Sequence, residues 1–174
     1  ILKKKPNSKI IADVKASNVI FETINNLGGE AIMCKTGHSL IKAKMKETKA
    51  LLAGEMSGHI FIADDYYGFD DALYASVRLL NIISQGFNMK NFLEIFKNLY
   101  STPEIKVFCE DNMKFQVIDQ IIKITRKKYK KAIYIDGIRV DFSHGWWLIR
   151  ASNTQPAIII RCEANSKNNL INLT

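Results

Sequence analysis

Short apolar runs alternate with segments of helical spacing through the opening part of this chain, and that alternation narrows the possible folds more than any other feature. Lys9–Val14 (KIIADV) is apolar; Ser17 then offers an N-cap to a segment whose Ile20, Ile24 and Leu27 recur at helical spacing and which ends at Gly28-Gly29. Glu30–Cys34 returns as an apolar run, Lys35-Thr36-Gly37-His38 is polar, and Ser39 stands where it would cap a second helix to about Glu47. Strand, helix, strand, helix predicts a mixed or parallel sheet, in which ligands gather at the carboxyl ends of the strands. Lys15, the loop 35–38 and the loop after the next strand therefore fall on one edge.

That next loop carries the densest chemistry. Gly54 to His59 (GEMSGH) lies between the apolar runs Ala50–Ala53 and Ile60–Ala63, which makes it a strand-to-strand connection. Its two glycines let the backbone bend tightly while Glu55, Ser57 and His59 face one space. A carboxylate accepts hydrogen bonds from vicinal hydroxyls, a serine hydroxyl donates or accepts, and an imidazole exchanges a proton near neutral pH, so the three make a polyol-binding set. A Gly-rich turn with polar residues in water has the same composition, and six residues alone do not separate the two readings.

Beyond Ala63 an acidic and aromatic loop, Asp64–Gly68, leads to Asp70 or Asp71 as the start of a long amphipathic helix carrying Leu73, Val77, Leu80 and Ile83. A second helix covers about Met89–Leu99, and Ser101-Thr102-Pro103 then breaks the pattern. The break predicts two domains, residues 1–100 and 101–174. The second opens with a strand, Glu104–Cys109, and a helix, Asn112–Tyr129, with Phe115, Ile118, Ile121, Ile122 and Thr125 on or near one face. Lys131–Ile135 and Ile138–Phe142 flank Asp136-Gly137 like a hairpin; Trp146–Ile149 and Ala157–Cys162 follow as strands, and a helix begins near Ser166. Consecutive antiparallel strands between helices predict a small α+β domain.

The loop Arg150–Pro156 (RASNTQP) joins the last two strands and presents a guanidinium fork, two hydroxyls, an amide and successive backbone N–H groups. Those groups suit a phosphate dianion. A hairpin turn built on Asn and Thr chemistry, with Arg150 ion-paired at a surface, accounts for the same residues.

The formal charge of +8, from 25 Lys and Arg against 17 Asp and Glu, favours anionic partners. The basic residues are scattered over helices expected to face water, with no basic and aromatic stripe and no nucleic-acid motif, so phosphorylated small molecules are expected and nucleic acid is not. Cys34, Cys109 and Cys162 each sit in an apolar, strand-like context with no Cys-x-x-Cys pair, and read as reduced core residues. Neither a signal peptide nor an apolar stretch of membrane-spanning length occurs, so a cytoplasmic location without a membrane partner is the expectation. The start at Ile1 and the end at Thr174, where a helix is beginning, read as those of a piece of something longer.

ADVKAS (Ala12–Ser17), KTGHSLIK (Lys35–Lys42), GEMSGH, YGFDDALYA (Tyr67–Ala75) and RASNTQP, in this order and over nearly the whole chain, together resemble the α-D-phosphohexomutases, in particular the phosphomannomutase/phosphoglucomutase branch. The resemblance implies the third and fourth of four domains: an α/β mixed-sheet domain that reads sugar hydroxyls, then a small α+β, TBP-like domain, an antiparallel sheet with helices, that holds the substrate phosphate. It implies contacts to the sugar O3 and O4 hydroxyls for Glu55 and Ser57, with Gly37 also binding substrate, and a reaction centre lined by His59, His38 and Lys15. For Arg150, Ser152, Asn153 and Thr154 it implies the phosphate-binding loop.

The intact enzyme implied by the resemblance is an isomerase that interconverts hexose 1- and 6-phosphates, of mannose or glucose, through hexose 1,6-bisphosphate. Its phosphoserine, in a Ser-His-Asn-Pro context, and its Mg2+-binding loop, Asp-Gly-Asp-Gly-Asp, do not occur in this sequence. The missing N-terminal domains are thus expected partners beside hexose phosphates, and this chain alone is expected to be inactive. Asp64-Asp65 and Asp70-Asp71 lack the intervening glycines and a third ligand, and read as loop polarity and a helix N-terminus. Met56 and the sequence of Ser152–Pro156 favour mannose and glucose phosphates over phosphoglucosamine mutase, the alternative within the family; a non-catalytic sugar-phosphate binding module is the alternative outside it.

Overall fold

In the computed structural model, which describes all residues from Ile1 to Thr174, the chain divides into two units, Ile1–Lys97 and Asn98–Thr174. The first is built on the predicted alternation: β1 (Lys9–Asp13), α1 (Asn18–Asn26), β2 (Glu30–Cys34), α2 (His38–Thr48), β3 (Leu52–Gly54) and β4 (Ile60–Ile62). A two-residue strand β5 (Phe69–Asp70), the helix α3 (Ala72–Ser84) and the short α4 (Met89–Leu93), continued by a 3-10 turn, complete it. The sheet order is β2-β1-β3-β4-β5; β1 runs parallel to both neighbours, and β3, β4 and β5 pair antiparallel. A central strand covered on both faces must be apolar on both. Ile11 accordingly packs with Ile41, Met45, Ala53 and Phe61, while Ile10, its neighbour in chain, packs with Leu2 and Ile24.

Ser17 caps α1, its hydroxyl accepting from the Val19 N–H at 3.2 Å. Of the three apolar α1 positions only Ile24 is buried; Ile20 and Leu27 are exposed. Ser39 does not cap α2: the N-cap is Gly37, at φ 132°, a backbone region glycine occupies without steric cost, and Ser39 lies inside the first turn. Asp71 rather than Asp70 caps α3, accepting from the Tyr74 N–H at 2.9 Å.

The apolar face of α3 has no cover within this unit. No α3 residue is buried, and Leu73, Val77 and Leu80 are 82%, 61% and 65% exposed. A contiguous apolar stripe of this kind draws apolar solutes. The folded chain is expected to bind an apolar fluorescent dye at neutral pH, and Leu73→Lys/Leu80→Lys to lose about half of that fluorescence at unchanged helix content. Equal dye binding by the variant would place the source elsewhere.

The second unit contains β6 (Tyr100–Ser101), β7 (Ile105–Phe108), α5 (Lys114–Lys128), β8 (Ile138–Phe142), β9 (Gly145–Ala151), β10 (Ala157–Ala164) and α6 (Lys167–Leu173). Its antiparallel sheet has the order β6-β10-β9-β8, with β7 pairing on β10 as well. β9 runs two residues beyond its expected end and takes in Arg150 and Ala151, which leaves 152–156 as the loop. Lys131–Ile135 is not a strand; only Ile133 bridges to Arg139. α5 covers one sheet face through Ile118, packed with Ala151 and Ile158, while Phe115 is 57% exposed. The three cysteines are free thiols, Cys34 and Cys162 buried. No helix is long and apolar enough to cross a membrane.

Candidate functional site

At the carboxyl edge of β1, β2 and β3 the first unit gathers most of the candidate residues. The β3–β4 hairpin loop folds back on itself, with the Glu55 N–H donating to the His59 carbonyl at 3.0 Å and the Gly58 N–H to the Glu55 carbonyl at 2.9 Å. This brings Glu55, Ser57 and His59 together: His59 Nδ1 is 3.1 Å from Glu55 Oε2 and 2.9 Å from Ser57 Oγ. An ionised carboxylate only accepts, so Nδ1 carries the proton in the Glu55 contact. His59 Nε2 lies 3.8 Å from Asp70 Oδ2 on β5.

The other oxygen of Glu55 reaches the β2–α2 loop, where Oε1 accepts from the Gly37 N–H at 2.7 Å. Glu55 is 8% exposed, and its carboxylate stands at the start of α2, where helix N–H groups are otherwise unpaired and the dipole favours negative charge. Glu55 therefore does structural work on Gly37 as well as facing Ser57 and His59. His38, the first residue of α2, is exposed.

Lys15, 6% exposed, follows β1, its Nζ 3.9 Å from Asp13 Oδ2. Asp13, with no exposed surface, also accepts from Thr36 Oγ1 at 3.0 Å and from the Met56 N–H at 3.2 Å. Burial holds its carboxyl above the usual 3.8, against the pull of Lys15 and of the two donors. Sequence reasoning passed over Asp13 and Thr36; an Asp inside KIIADV, where only apolar residues are normally buried, was the available signal.

In the second unit Arg150 sits near the end of β9, 4% exposed, its Nε donating to Asp136 Oδ2 at 2.9 Å. Nη2 of Arg150 is buried without a hydrogen-bond acceptor. The ion pair that the hairpin-turn reading put at a surface has Arg150 buried and Asp136 half-buried, and Asp136 comes from the Asp136-Gly137 turn, a feature read in the sequence only as a hairpin signal. Ser152, 6% exposed, turns into its own loop: its hydroxyl oxygen accepts from the Gln155 N–H at 3.1 Å and the Thr154 N–H at 3.4 Å. Asn153 and Thr154 are exposed at the tip. Lys114, 5% exposed on α5, holds the loop from below through the Gln155 carbonyl at 3.1 Å and pairs with Asp111 at 2.7 Å; nothing in the sequence marked it.

No group of three or more His, Cys, Asp or Glu side chains is placed to hold a metal ion. Asp64 takes Lys5 Nζ at 2.7 Å and Arg78 Nη2 at 2.9 Å, and Asp71 takes the Tyr66 hydroxyl at 2.6 Å besides capping α3.

Residues 1–102 match the family model for phosphoglucomutase/phosphomannomutase, alpha/beta/alpha domain III, and residues 104–173 match that for the phosphoglucomutase/phosphomannomutase C-terminal domain. A phosphomannomutase/phosphoglucomutase of Pseudomonas putida is 47% identical over 167 residues, 95% of this chain and 36% of that protein. A phosphoglucomutase of Neisseria meningitidis serogroup A is 46% identical over 169 residues, 96% of this chain and 37% of that protein. A crystal structure of a phosphoglucomutase/phosphomannomutase family protein from Burkholderia thailandensis superimposes with a TM-score of 0.88 at 40% identity, covering 99% of this chain and 36% of that one. The chain spans little more than a third of the length of these relatives.

Proposed function

Because this chain belongs to the phosphoglucomutase/phosphomannomutase family, we propose that it supplies hexose-phosphate recognition to an enzyme that moves a phosphoryl group between the 1- and 6-oxygens of mannose or glucose through a 1,6-bisphosphate. In this reading residues 1–100 read the sugar and residues 101–174 hold a phosphate. Glu55 accepts from ring hydroxyls with the lone pairs that Gly37 and His59 leave, Ser57 donates or accepts beside it, and His59, His38 and Lys15 handle protons or charge on phosphoryl oxygens. Arg150, with Ser152, Asn153 and Thr154, binds the phosphate. Holding the substrate in place accounts for much of the catalysis of phosphoryl transfer.

The observation that carries the reading is the buried guanidinium of Arg150. Asp136 fixes it through Nε and leaves Nη2 without an acceptor, and a buried unmet donor on a cation is costly. A phosphate oxygen meets that need with a charge-assisted hydrogen bond. Asp64 and Asp71 do not fit magnesium, since Asp64 is committed to Lys5 and Arg78 and Asp71 to Tyr66 and the α3 cap; no step of this reading runs through the metal. A cytoplasmic location goes with the reading, supported by the three free thiols.

Calorimetric titration tests it, with mannose 1-phosphate, glucose 1-phosphate and inorganic phosphate as ligands. Arg150→Ala is expected to weaken all three by roughly tenfold or more, the worth of a lost charged hydrogen bond. Glu55→Ala weakens the two sugar phosphates and leaves inorganic phosphate unchanged. A wild-type chain that binds no ligand better than the variants do overturns the assignment.

A further inference from the structure

Asp13 is the last residue of β1, and its place in the sheet explains why a carboxylate is tolerated there. Asp13 pairs with Cys34 on the β2 side, but on the β3 side the pairing ends one step earlier, at Ala12 with Gly54. On that side the chain after β3 leaves the sheet, and the Asp13 side chain takes over from the backbone ladder. One oxygen receives the Met56 N–H from the loop after β3 and the other receives the Thr36 hydroxyl from the loop after β2. A wholly buried carboxylate persists only where it is hydrogen-bonded and paired.

These bonds form a ring. Asp13 holds Thr36; the next residue, Gly37, donates to Glu55; and Glu55 precedes Met56, which returns to Asp13. Lys15 hangs from the same carboxylate at 3.9 Å. Gly37 and Glu55 are members of the ring, Lys15 and His59 are attached to it, Ser57 is attached through His59, and His38 follows Gly37 in sequence.

We propose that Asp13 is a positioning residue for hexose-phosphate recognition, locking the loops after β2 and β3 to the end of β1 so that Glu55 and Lys15 hold their places before ligand arrives. The inference rests on the functional reading above only for what the positioned groups bind. Pre-organisation of this kind raises affinity by removing an ordering cost from the binding step.

The test follows amide hydrogen exchange in the full chain for wild type, Asp13→Ala, Thr36→Val and Asp13→Asn, together with titration by mannose 1-phosphate. Gly37 is the reporter, because Asp13 does not touch its N–H. Thr36→Val opens one arm of the ring at a half-buried position where folding is not at risk. It is expected to speed exchange at Gly37 on the order of tenfold, and Asp13→Ala by more, while Ile11 in mid-strand is unchanged. Asp13→Asn keeps an acceptor for Met56 and can donate to the Thr36 hydroxyl, and so restores Gly37 to within about threefold of wild type. Sugar-phosphate affinity is expected to follow the same order.

Gly37 exchange within about twofold of wild type in Thr36→Val and Asp13→Ala, or equal acceleration at Gly37 and Ile11, overturns the positioning role whatever the ligand does. A wild-type chain that fails to bind mannose 1-phosphate while Gly37 still responds overturns the recognition reading and leaves the ring standing.

Discussion

The Gly137→Ala variant unfolds well below the wild-type chain, because a methyl group at this position meets backbone. Gly137 has φ +72°, and a Cβ built on it stands 2.2 Å from the Ile149 carbonyl oxygen and 2.7 Å from the Arg150 Cα. Neither atom can retreat without breaking the pairing of Ile138 with Ile149 that starts the β8–β9 ladder. The left-handed conformation costs an alanine about 1–2 kcal/mol and the overpacking about 1–3 more, so a loss of roughly 2–5 kcal/mol is expected. For a unit of this size that is a fall of roughly 10–25 °C in melting temperature. Both tryptophans of the chain, Trp146 and Trp147, lie in β9, so their fluorescence reports this unit directly. The same displacement moves the neighbouring Asp136 off Arg150 Nε, and under the proposed function phosphate affinity is expected to fall with stability. A variant that melts within about 3 °C of wild type would show that the turn has room the geometry denies it.

Asp64→Asn makes the first unit less stable at neutral pH and less sensitive to acid. Asp64 receives Lys5 Nζ at 2.7 Å and Arg78 Nη2 at 2.9 Å, while Arg78 Nη1 also donates to the Asp64 carbonyl at 3.0 Å. The Lys5 bond above all, aided by Arg78 and opposed by burial, holds the carboxyl below its usual 3.8. A carboxyl depressed in the folded state adds stability above its unfolded pKa and loses it as pH falls from about 3.8 through the folded value. Lys5 is 45% exposed along its side chain, so screening discounts its share and Arg78 carries more of the loss than the order of the shifts suggests. Denaturant unfolding at pH 7 and pH 3 checks this: the gap between wild type and Asp64→Asn is expected at pH 7 and shrinks toward pH 3. Asp13 acts with the opposite sign, since burial raises its pKa and its ionisation costs folded stability as pH rises. A gap that stays constant across this range removes Asp64 from the acid limb.

What could be read from the residues was local. KIIADV, the Ser17 cap, the start of α3 at one of Asp70 and Asp71 and the hairpin loop at GEMSGH each have their cause within a few residues of themselves, and each is present in the structure. The two-residue strands β5 and β6 were not legible, because they exist only where β4 and β10 offer them an edge. Lys131–Ile135 had strand composition but found only a single bridge. α3 had an amphipathic pattern, and pattern says which face is apolar without saying what covers it. At the candidate site the residue types were visible and their commitments were not. That Glu55 serves Gly37 and that Arg150 leans on Asp136 are facts of tertiary distance, 18 residues apart for Glu55 and Gly37 and 14 for Arg150 and Asp136.

The borrowed cap of α2 bears on the order of events as the chain folds. α2 has no side chain of its own to accept from its first N–H groups; the acceptor beside its N-cap is Glu55, which follows β3. Closure of the β3–β4 hairpin spans few residues, and a helix start without a local cap frays. The first turn of α2 is thus expected to settle only once the β3–β4 hairpin has closed and brought Glu55 to Gly37. A peptide spanning 35–49, which lacks Glu55, is accordingly expected to hold less helix at its Gly37 end than the folded chain does.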